Sequence, residues 1–365
     1  MLSWPYFDWG KNEPFLSKDG GSYLETIGVR MRKRSPRTYI GLFIGLGISA
    51  AALLLAFRWA GFEALEDALK TVRLPFLYLA LVTFLLSMFV RVAAWRVLLQ
   101  QPVPLWRVFT VLNQGYLINN VLPWRLGEFG RAILLGRRPT MTAQGVLASI
   151  FVERLYDIII ALGFFAALIP FAVGIPGVSR SAFFAIGVIV FAVLGLFLLL
   201  RYPKIVFRLI DFLPGGRKRW GVHFDRFREG LMTLRSPRII LLSLGLLLIS
   251  WFLAGMQYWF VLVSIVPQGQ IHWAFFMLTI TMLGVAIPSS PGYIGVFEAA
   301  GVLALSAFHV PDGQALAVTL ILHAMVYLIS SAIGALAFIG EGDTIWQILL
   351  QARERFLIQA KKPVE

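Results

Sequence analysis

Charged side chains inside an apolar stretch are the first feature of this sequence that could do chemistry. Residues 149–157, SIFVERLYD, place Glu153, Arg154 and Asp157 among apolar neighbours. On a helix, Glu153 and Asp157 share a face, while Arg154 and Asp157 are three residues apart and can pair. Ionisable groups in a bilayer cost about 2.5–3.5 kcal/mol each on insertion scales. We interpret the trio either as a substrate-facing polar site or as an internal ion pair that fixes helix packing. Its excess of acids predicts a further cation nearby.

Candidate cations lie earlier in the chain. Arg91 falls in an apolar run, and Arg125, Glu128 and Arg131 are spaced by three residues, so they can line one side of a helix. A guanidinium matches phosphate bidentately, and a helix N-terminus after Pro123 would add partial positive charge. These residues predict a phospholipid-headgroup site. In the alternative interpretation, Arg125 and Arg131 anchor the chain at the cytoplasmic interface.

A second polar segment carries almost no charge. Ser289, Ser290 and the backbone of 291–295 offer hydrogen-bond donors, and Glu298 is the lone acid beside them. An intramembrane Glu can hold a proton, a headgroup amine or an Arg side chain. His323 has two interpretations, a packed hydrogen-bonded side chain or a proton relay.

The two polar segments lie in apolar stretches, 104–138 and 272–308, that Pro and Gly interrupt. Pro cannot continue a helix and Gly supplies a bend, and broken backbone at membrane depth must face protein or a watery cavity. The predicted structural breaks are Pro123, Gly127, Pro288, Pro291, Gly292 and Gly295. We therefore predict two re-entrant helical hairpins. The loop charges give the two hairpins opposite orientation, Pro123 and Gly127 have the same spacing as Pro291 and Gly295, and an acid follows each break. This pattern indicates an inverted repeat with a substrate site near the midplane; the alternative is a chance match.

Long apolar runs must position these hairpins. The chain has 58% hydrophobic and 14% charged residues and a mean hydropathy of +0.77, whereas a soluble domain carries roughly 25% charge. A spanning helix needs about 20 mostly apolar residues. The segments that meet this requirement are 38–60, 75–99, 143–171, 181–200, 239–266 and 315–340. The predicted fold is an all-α polytopic membrane protein with six full transmembrane helices and two re-entrant hairpins.

Loop charges predict the orientation, because basic loops stay in the cytoplasm. Residues 201–238 hold ten basic and three acidic residues, and residues 1–37 hold seven basic and four acidic residues. We predict a multi-pass protein of the plasma (inner) membrane with both termini cytoplasmic. The predicted organisation is a tail over 1–37, a transmembrane domain over 38–340 with repeats at about 75–171 and 239–340, and a tail over 341–365.

Composition also limits which metals, cofactors and macromolecular partners can be expected. There is no Cys, and the four His show no metal-ligand spacing, so neither a metal nor a cofactor is predicted. The net charge of +14 could suggest nucleic acid, but the basic and aromatic residues of 201–238 are more simply an interfacial stretch on anionic lipid. Nucleic acid is not predicted as a partner.

Taken together, the three polar motifs resemble the lysylphosphatidylglycerol synthase transmembrane family, which includes the flippase half of the multiple peptide resistance factor. The matching residues are Leu122, Pro123, Arg125, Gly127, Glu128 and Arg131, then Glu153, Arg154 and Asp157, then Pro288, Pro291, Gly292, Gly295 and Glu298. The resemblance covers about residues 38–340 and implies a lipid translocase fold. Tyr293 departs from it, since the family often has another Gly there. The longest soluble stretch, 201–238, is too short for the aminoacyl-transferase domain of a full synthase.

These observations predict a lipid flippase that moves a polar-headgroup phospholipid or isoprenoid-linked lipid between leaflets. The alternatives are an integral membrane aminoacyl- or glycosyl-lipid transferase and a small-solute transporter. No Gly-rich phosphate loop or Asp-rich metal motif supports a transferase, so no catalytic residue is predicted. The predicted substrate-binding residues are Arg125, Glu128, Arg131, Glu153, Arg154, Asp157, Ser290 and Glu298. The expected partner is a membrane lipid, and a homo-oligomer is left open.

Overall fold

A computed structural model describes residues 62–122, 125–136, 141–173, 187, 236–286 and 290–341. Within these residues all regular secondary structure is helical, and no strand is present. The helices are α1 (Phe62–Lys70), α2 (Leu74–Leu99), α3 (Leu105–Val121), α4 (Gly127–Gly136), α5 (Ala143–Val173), α6 (Pro237–Ile265), α7 (Ile271–Gly284), α8 (Val296–Ser306) and α9 (Asp312–Glu341). A short 3₁₀ turn, Pro291–Tyr293, precedes α8. The chain is therefore all-α in its described part.

Three of these helices are long and apolar enough to cross a membrane. They are α2, Arg238–Ile265 within α6, and α9, with mean hydropathies of 2.1, 2.4 and 2.1. The predictions of helices at 75–99, 239–266 and 315–340 are thus confirmed to within a few residues. The prediction at 143–171 corresponds to the 31-residue α5. Predicted spans 38–60 and, apart from Gly187, 181–200 lie outside the described residues, as do both predicted tails except for Glu341, which ends α9.

The ends of the long helices follow from local sequence. Pro75 and Pro237 occupy first-turn positions, where a missing N–H costs nothing. At the other end of α2, Gln100 adopts a left-handed conformation with φ of 50° and donates its N–H to the carbonyl of Val97. This cap ends the helix before the broken segment begins.

Helices α2 and α6 form the central antiparallel pair. The Ser87 hydroxyl donates to the Ser250 carbonyl at 2.8 Å, and the Ser250 hydroxyl donates to the Ser87 carbonyl at 3.1 Å. At one end of the pair, the Arg73 N–H donates to the carbonyl of Ser264 at 3.0 Å. Hydrogen bonds between small polar residues stabilise helix pairs where lipid supplies no hydrophobic driving force.

Each predicted break separates two shorter helices that pack back on each other. Between α3 and α4, a Cβ on Gly127 would overlap the carbonyl oxygen of Gly115, so the two backbones touch. Between α7 and α8 the approach is looser, since a Cβ on Gly284 would lie 3.0 Å from the Cβ of Ala300. Pro123 and Pro288 lie outside the described residues.

The broken segments also pack against the last long helix of the other half. Helix α3 runs antiparallel to α9, with Asn120 donating to the Ser331 hydroxyl at 2.8 Å. Helix α7 packs on α5, where Phe164 and Phe275 rings lie 5.4 Å apart. The halves therefore interlock, and the two breaks meet where Tyr293 contacts Arg125.

Candidate functional site

A cluster of six charged side chains lies between α2, α4 and α5, and we call it the charge cluster. Three guanidiniums and three carboxylates contribute, so its formal charges cancel. The members are Arg91, Glu128, Arg131, Glu153, Arg154 and Asp157. The additional cations that the sequence predicts beside Glu153 and Asp157 are Arg91 and Arg131.

Glu153 is the centre of the charge cluster and is completely buried. Its Oε1 accepts hydrogen bonds from Arg91 and from Arg154, both at 2.8 Å, and its Oε2 accepts from Arg131 at 2.7 Å. A buried ion is tolerated only when it is paired and hydrogen-bonded. Three guanidiniums satisfy both oxygens of this one carboxylate.

Asp157 forms the second anionic position, one helical turn further along α5. Arg91 donates two hydrogen bonds to it, from Nη2 to Oδ1 at 2.8 Å and from Nη1 to Oδ2 at 3.1 Å. Arg154 also reaches Oδ2 at 3.1 Å, and the indole N–H of Trp251 donates to Oδ1 at 2.8 Å. The Trp251 contact ties α6 to the cluster.

Arg131 is closed off inside the protein. It is only 2% exposed, and its guanidinium lies 3.8 Å from the centre of the Trp95 ring. Room for its side chain comes from Gly115, where a Cβ would lie 2.6 Å from the Arg131 Cγ. The guanidinium is thus held between the Glu153 carboxylate and the Trp95 ring.

One side of the charge cluster is open. The Arg154 and Glu128 side chains are 28% and 26% exposed, and they lie 3.7 Å apart. On α5, Arg154 shares a helix face with Phe151 and Ile158, which are 43% and 47% exposed. The charged rim therefore opens beside apolar surface on the outside of the helix bundle.

Arg125 lies apart from the charge cluster, at the first break. Its backbone is left-handed, with φ of 51°. Its Nε donates to the Tyr293 hydroxyl at 3.2 Å, and its guanidinium lies 5.7 Å from the centre of the Tyr293 ring. Within the part of the chain that the structure describes, no carboxylate pairs with Arg125.

Glu298 and Ser290 belong to the second break. The Glu298 Oε2 accepts the N–H of Gly295 at 2.6 Å, and its Oε1 lies 2.5 Å from the His323 Nδ1. The Ser290 hydroxyl donates to the Ile294 carbonyl at 3.1 Å and so stabilises the turn. Gly292 and Gly295 have φ of 68° and 91°, a backbone that favours glycine.

The structure thus sorts the predicted site residues into two groups. Glu128, Arg131, Glu153, Arg154 and Asp157 come together in the charge cluster, whereas Arg125, Ser290 and Glu298 lie around the two breaks. Sequence reasoning missed the indoles of Trp95 and Trp251. The available signal was that a Trp N–H inside an apolar helix requires an acceptor.

Comparisons with known proteins agree with this architecture. The family described as Lysylphosphatidylglycerol synthase TM region matches residues 42–334. The UPF0104 membrane protein MJ1078 of Methanocaldococcus jannaschii is 26% identical over 223 residues, which cover 60% of this chain and 92% of that protein. No solved structure matches the chain. This multi-pass membrane protein belongs to the lysylphosphatidylglycerol synthase transmembrane-region family.

Proposed function

We propose that this protein moves a lipid with a polar headgroup between the two leaflets of the plasma membrane. The headgroup passes the charge cluster and Arg125, while the acyl or isoprenoid tails stay in the bilayer. One observation carries the proposal: the charged rim of Arg154 and Glu128 lies beside the exposed apolar side chains Phe151 and Ile158.

This placement favours a lipid over a soluble substrate. A soluble solute needs a cavity that opens to water, whereas a lipid needs polar groups reachable from the side of the helix bundle. Phe129, which follows Glu128 on α4, is 46% exposed as well. Exposed apolar side chains therefore occur on both α4 and α5, the two helices that carry the rim, where lipid tails would lie.

The chemistry of the rim suits a phosphate-bearing headgroup. Arg125 has no carboxylate partner among the described residues, so a phosphate can take the place of its contact with the Tyr293 hydroxyl. Arg154 is partly exposed and offers a second guanidinium. Glu128 and Asp157 offer carboxylates to an amine or hydroxyl group. In this proposal Arg131 and Glu153 position the rim rather than touch the lipid.

The proposal includes the topology. The segments α3–α4 and α7–α8 are re-entrant hairpins of opposite orientation, within six full crossings and with both termini cytoplasmic. Support comes from two features of the packing. The first helices of the halves, α2 and α6, are antiparallel. The packing between the halves is also reciprocal, since α3 of the first half packs on α9 of the second, and α7 of the second packs on α5 of the first. Both features are expected of two halves related by a two-fold axis in the membrane plane.

The test is transbilayer movement of a fluorescent phosphatidylglycerol in liposomes that contain the purified chain. We expect movement well above that of empty liposomes, and about a tenfold reduction in Arg125→Ala, which corresponds to about 1.4 kcal/mol of lost interaction. Arg238→Ala is the matched control, because Arg238 is an exposed cation outside the cluster.

Two results would contradict the proposal. Liposomes with the protein that move lipid no faster than empty ones would remove the transport function. Equal rates for the wild type and an Arg125→Ala/Glu153→Ala double variant would show that these residues do not form the lipid site. A new modified lipid in extracts of expressing cells would instead favour a transferase.

A further inference from the structure

The contact between Glu298 and His323 lies outside the charge cluster. The His323 Nδ1 is 2.5 Å from Oε1 of Glu298, and its Nε2 is 2.8 Å from the carbonyl oxygen of Gly292. Glu298 is 2% exposed. Between them, α8, α9 and the break contribute every atom of this arrangement.

Donor and acceptor counting shows that the pair holds a proton. The Gly292 carbonyl can only accept, so the His323 Nε2 must carry a hydrogen. The Nδ1 and the carboxylate oxygen would then face each other with two lone pairs, which does not allow a contact of 2.5 Å. One further proton therefore lies between Nδ1 and Oε1. Whichever atom holds it, the pair is neutral overall.

The same two side chains determine the shape of the break. His323 binds the carbonyl of Gly292, and Glu298 binds the N–H of Gly295. Both glycines have positive φ, and so does Tyr293 between them, at 60°. A non-glycine residue in this conformation is held there by its surroundings.

The break in turn reaches the first half of the protein. Tyr293 accepts a hydrogen bond from Arg125, and a Cβ on Gly292 would lie 3.5 Å from the carbonyl of Asn120. The path from His323 to Arg125 therefore runs through only the backbone of 292–293 and the Tyr293 ring.

We propose that Glu298 and His323 form a proton-binding site that, when occupied, holds residues 291–295 with Tyr293 against Arg125. Once the proton is lost, the neutral imidazole has a single N–H, which can serve the Glu298 carboxylate or the Gly292 carbonyl but not both, so one of the two contacts separates and the break is released. The proton site does not depend on the proposed function. Its consequence does, because release of Tyr293 frees Arg125 for a phosphate.

Other titratable groups near the pair are few. The Tyr327 ring on α9 meets the His323 ring edge-on at 6.0 Å, and the Phe297 ring is tilted against it with centroids 4.6 Å apart. Tyr293 and Arg125 follow one contact further away. Helix α6 faces this part of α9 with Gln257, which is neutral.

The charges that α1 and α3 bring to α9 lie near its ends. Helix α1 packs near Gly313, ten residues from His323, and Arg107 of α3 pairs with Glu341, eighteen residues from it. These separations are about 15 and 27 Å along a helix. Among the described residues, no second carboxylate therefore lies beside the pair.

The experiment uses the full chain in lipid nanodiscs with ¹⁵N-labelled histidine rings, from about pH 5 to about pH 9, where His groups change charge. His323→Asn identifies the His323 signals among the four His of the chain. We expect the pair to lose one proton in this range, with about tenfold faster hydrogen exchange at 290–295 after correction for intrinsic rates. Glu298→Gln keeps an acceptor for Gly295 and supplies a donor for His323, so a neutral imidazole satisfies both of its contacts without the shared proton, and both changes should vanish. His309→Asn, outside the pair, should retain both.

Two results would overturn the proton site. One is a His323 ring without a titrating proton over the whole range, and the other is an unchanged exchange profile in Glu298→Gln. Neither readout uses lipid movement, so failure of the liposome assay leaves the proton site standing. Conversely, if the proton site titrates but lipid movement does not depend on pH, only the proposed coupling to Arg125 is contradicted.

Discussion

The two breaks have similar sequences and use their acids differently. At the first break, the N–H of Gly127 donates to the Asn119 side chain at 2.7 Å, which leaves Glu128 available to Arg154. At the second, the N–H of Gly295 donates to Glu298 itself at 2.6 Å. The side chain that accepts the backbone N–H therefore comes from the preceding helix, α3, at the first break and from the following helix, α8, at the second.

This difference has a physical consequence. Because Asn119 satisfies the backbone, the first half can build a permanent array of charges between three helices. Because Glu298 is occupied by Gly295 and His323, the second half holds a neutral pair that depends on one proton. Similar broken helices thus support a fixed electrostatic site in one half and a protonation-dependent contact in the other.

The largest expected effect comes from a substitution in the charge cluster of the first half. Glu153→Gln leaves Arg91, Arg131 and Arg154 without their shared carboxylate, and removing one partner of a buried ion pair costs about 3–5 kcal/mol. We expect the unfolding free energy in mixed micelles to fall by that amount. Glu66→Gln, in an exposed pair on α1, is the control. Equal losses for the two variants would show that the charge cluster is not a structural centre.

A second test compares the packing at the two breaks. Gly127→Ala pushes a methyl group into the backbone of Gly115, and such overpacking costs about 3 kcal/mol. Gly284→Ala meets the side chain of Ala300 at 3.0 Å, which can shift, so a loss of about 1 kcal/mol is expected. Denaturant titration of both variants measures the difference. A cost for Gly284→Ala as large as that for Gly127→Ala would contradict the tighter packing of the first break.

Removal of each cap tests the comparison directly. Asn119→Ala deletes only a helix cap, which is worth about 1 kcal/mol. Glu298→Ala deletes a cap and also leaves His323 without its partner, so we expect about 2 kcal/mol. The ratio of the two losses in the same micelles is the measurement. If Asn119→Ala is the more damaging variant, the second break does not depend on its own acid.

The smallest effect is expected far from both breaks. Lys70 on α1 pairs with Glu66 at 2.8 Å, and hydrogen bonds to Glu66 and Asp67 raise the pKa of Lys70. All three side chains are exposed, so solvent screens the pairs. Lys70→Ala should therefore leave the thermal unfolding midpoint and lipid movement unchanged. A clear shift in either would mean that α1 belongs to the functional unit.

Much of the described fold is readable from the sequence, because apolar length determines a membrane helix by itself. The runs at 75–99, 239–266 and 315–340 predict α2, α6 and α9 within a few residues. Gly and Pro predict where the backbone breaks, since their restrictions are local. The spacing of Arg154 and Asp157 predicts their contact, because it lies within one helix.

Only the tertiary structure determines which cationic side chain pairs with which acidic side chain. Arg131 and Arg125 lie six residues apart and look equivalent in the sequence, yet one is buried on Glu153 and the other rests on Tyr293. Likewise Arg91 reaches Glu153 across 62 positions, and His323 reaches Glu298 across 25. These pairings depend on how each helix is rotated and how closely its neighbour approaches. Local periodicity contains neither quantity, whereas close packing, such as that of glycines against backbone carbonyls and the Arg131 side chain, determines both.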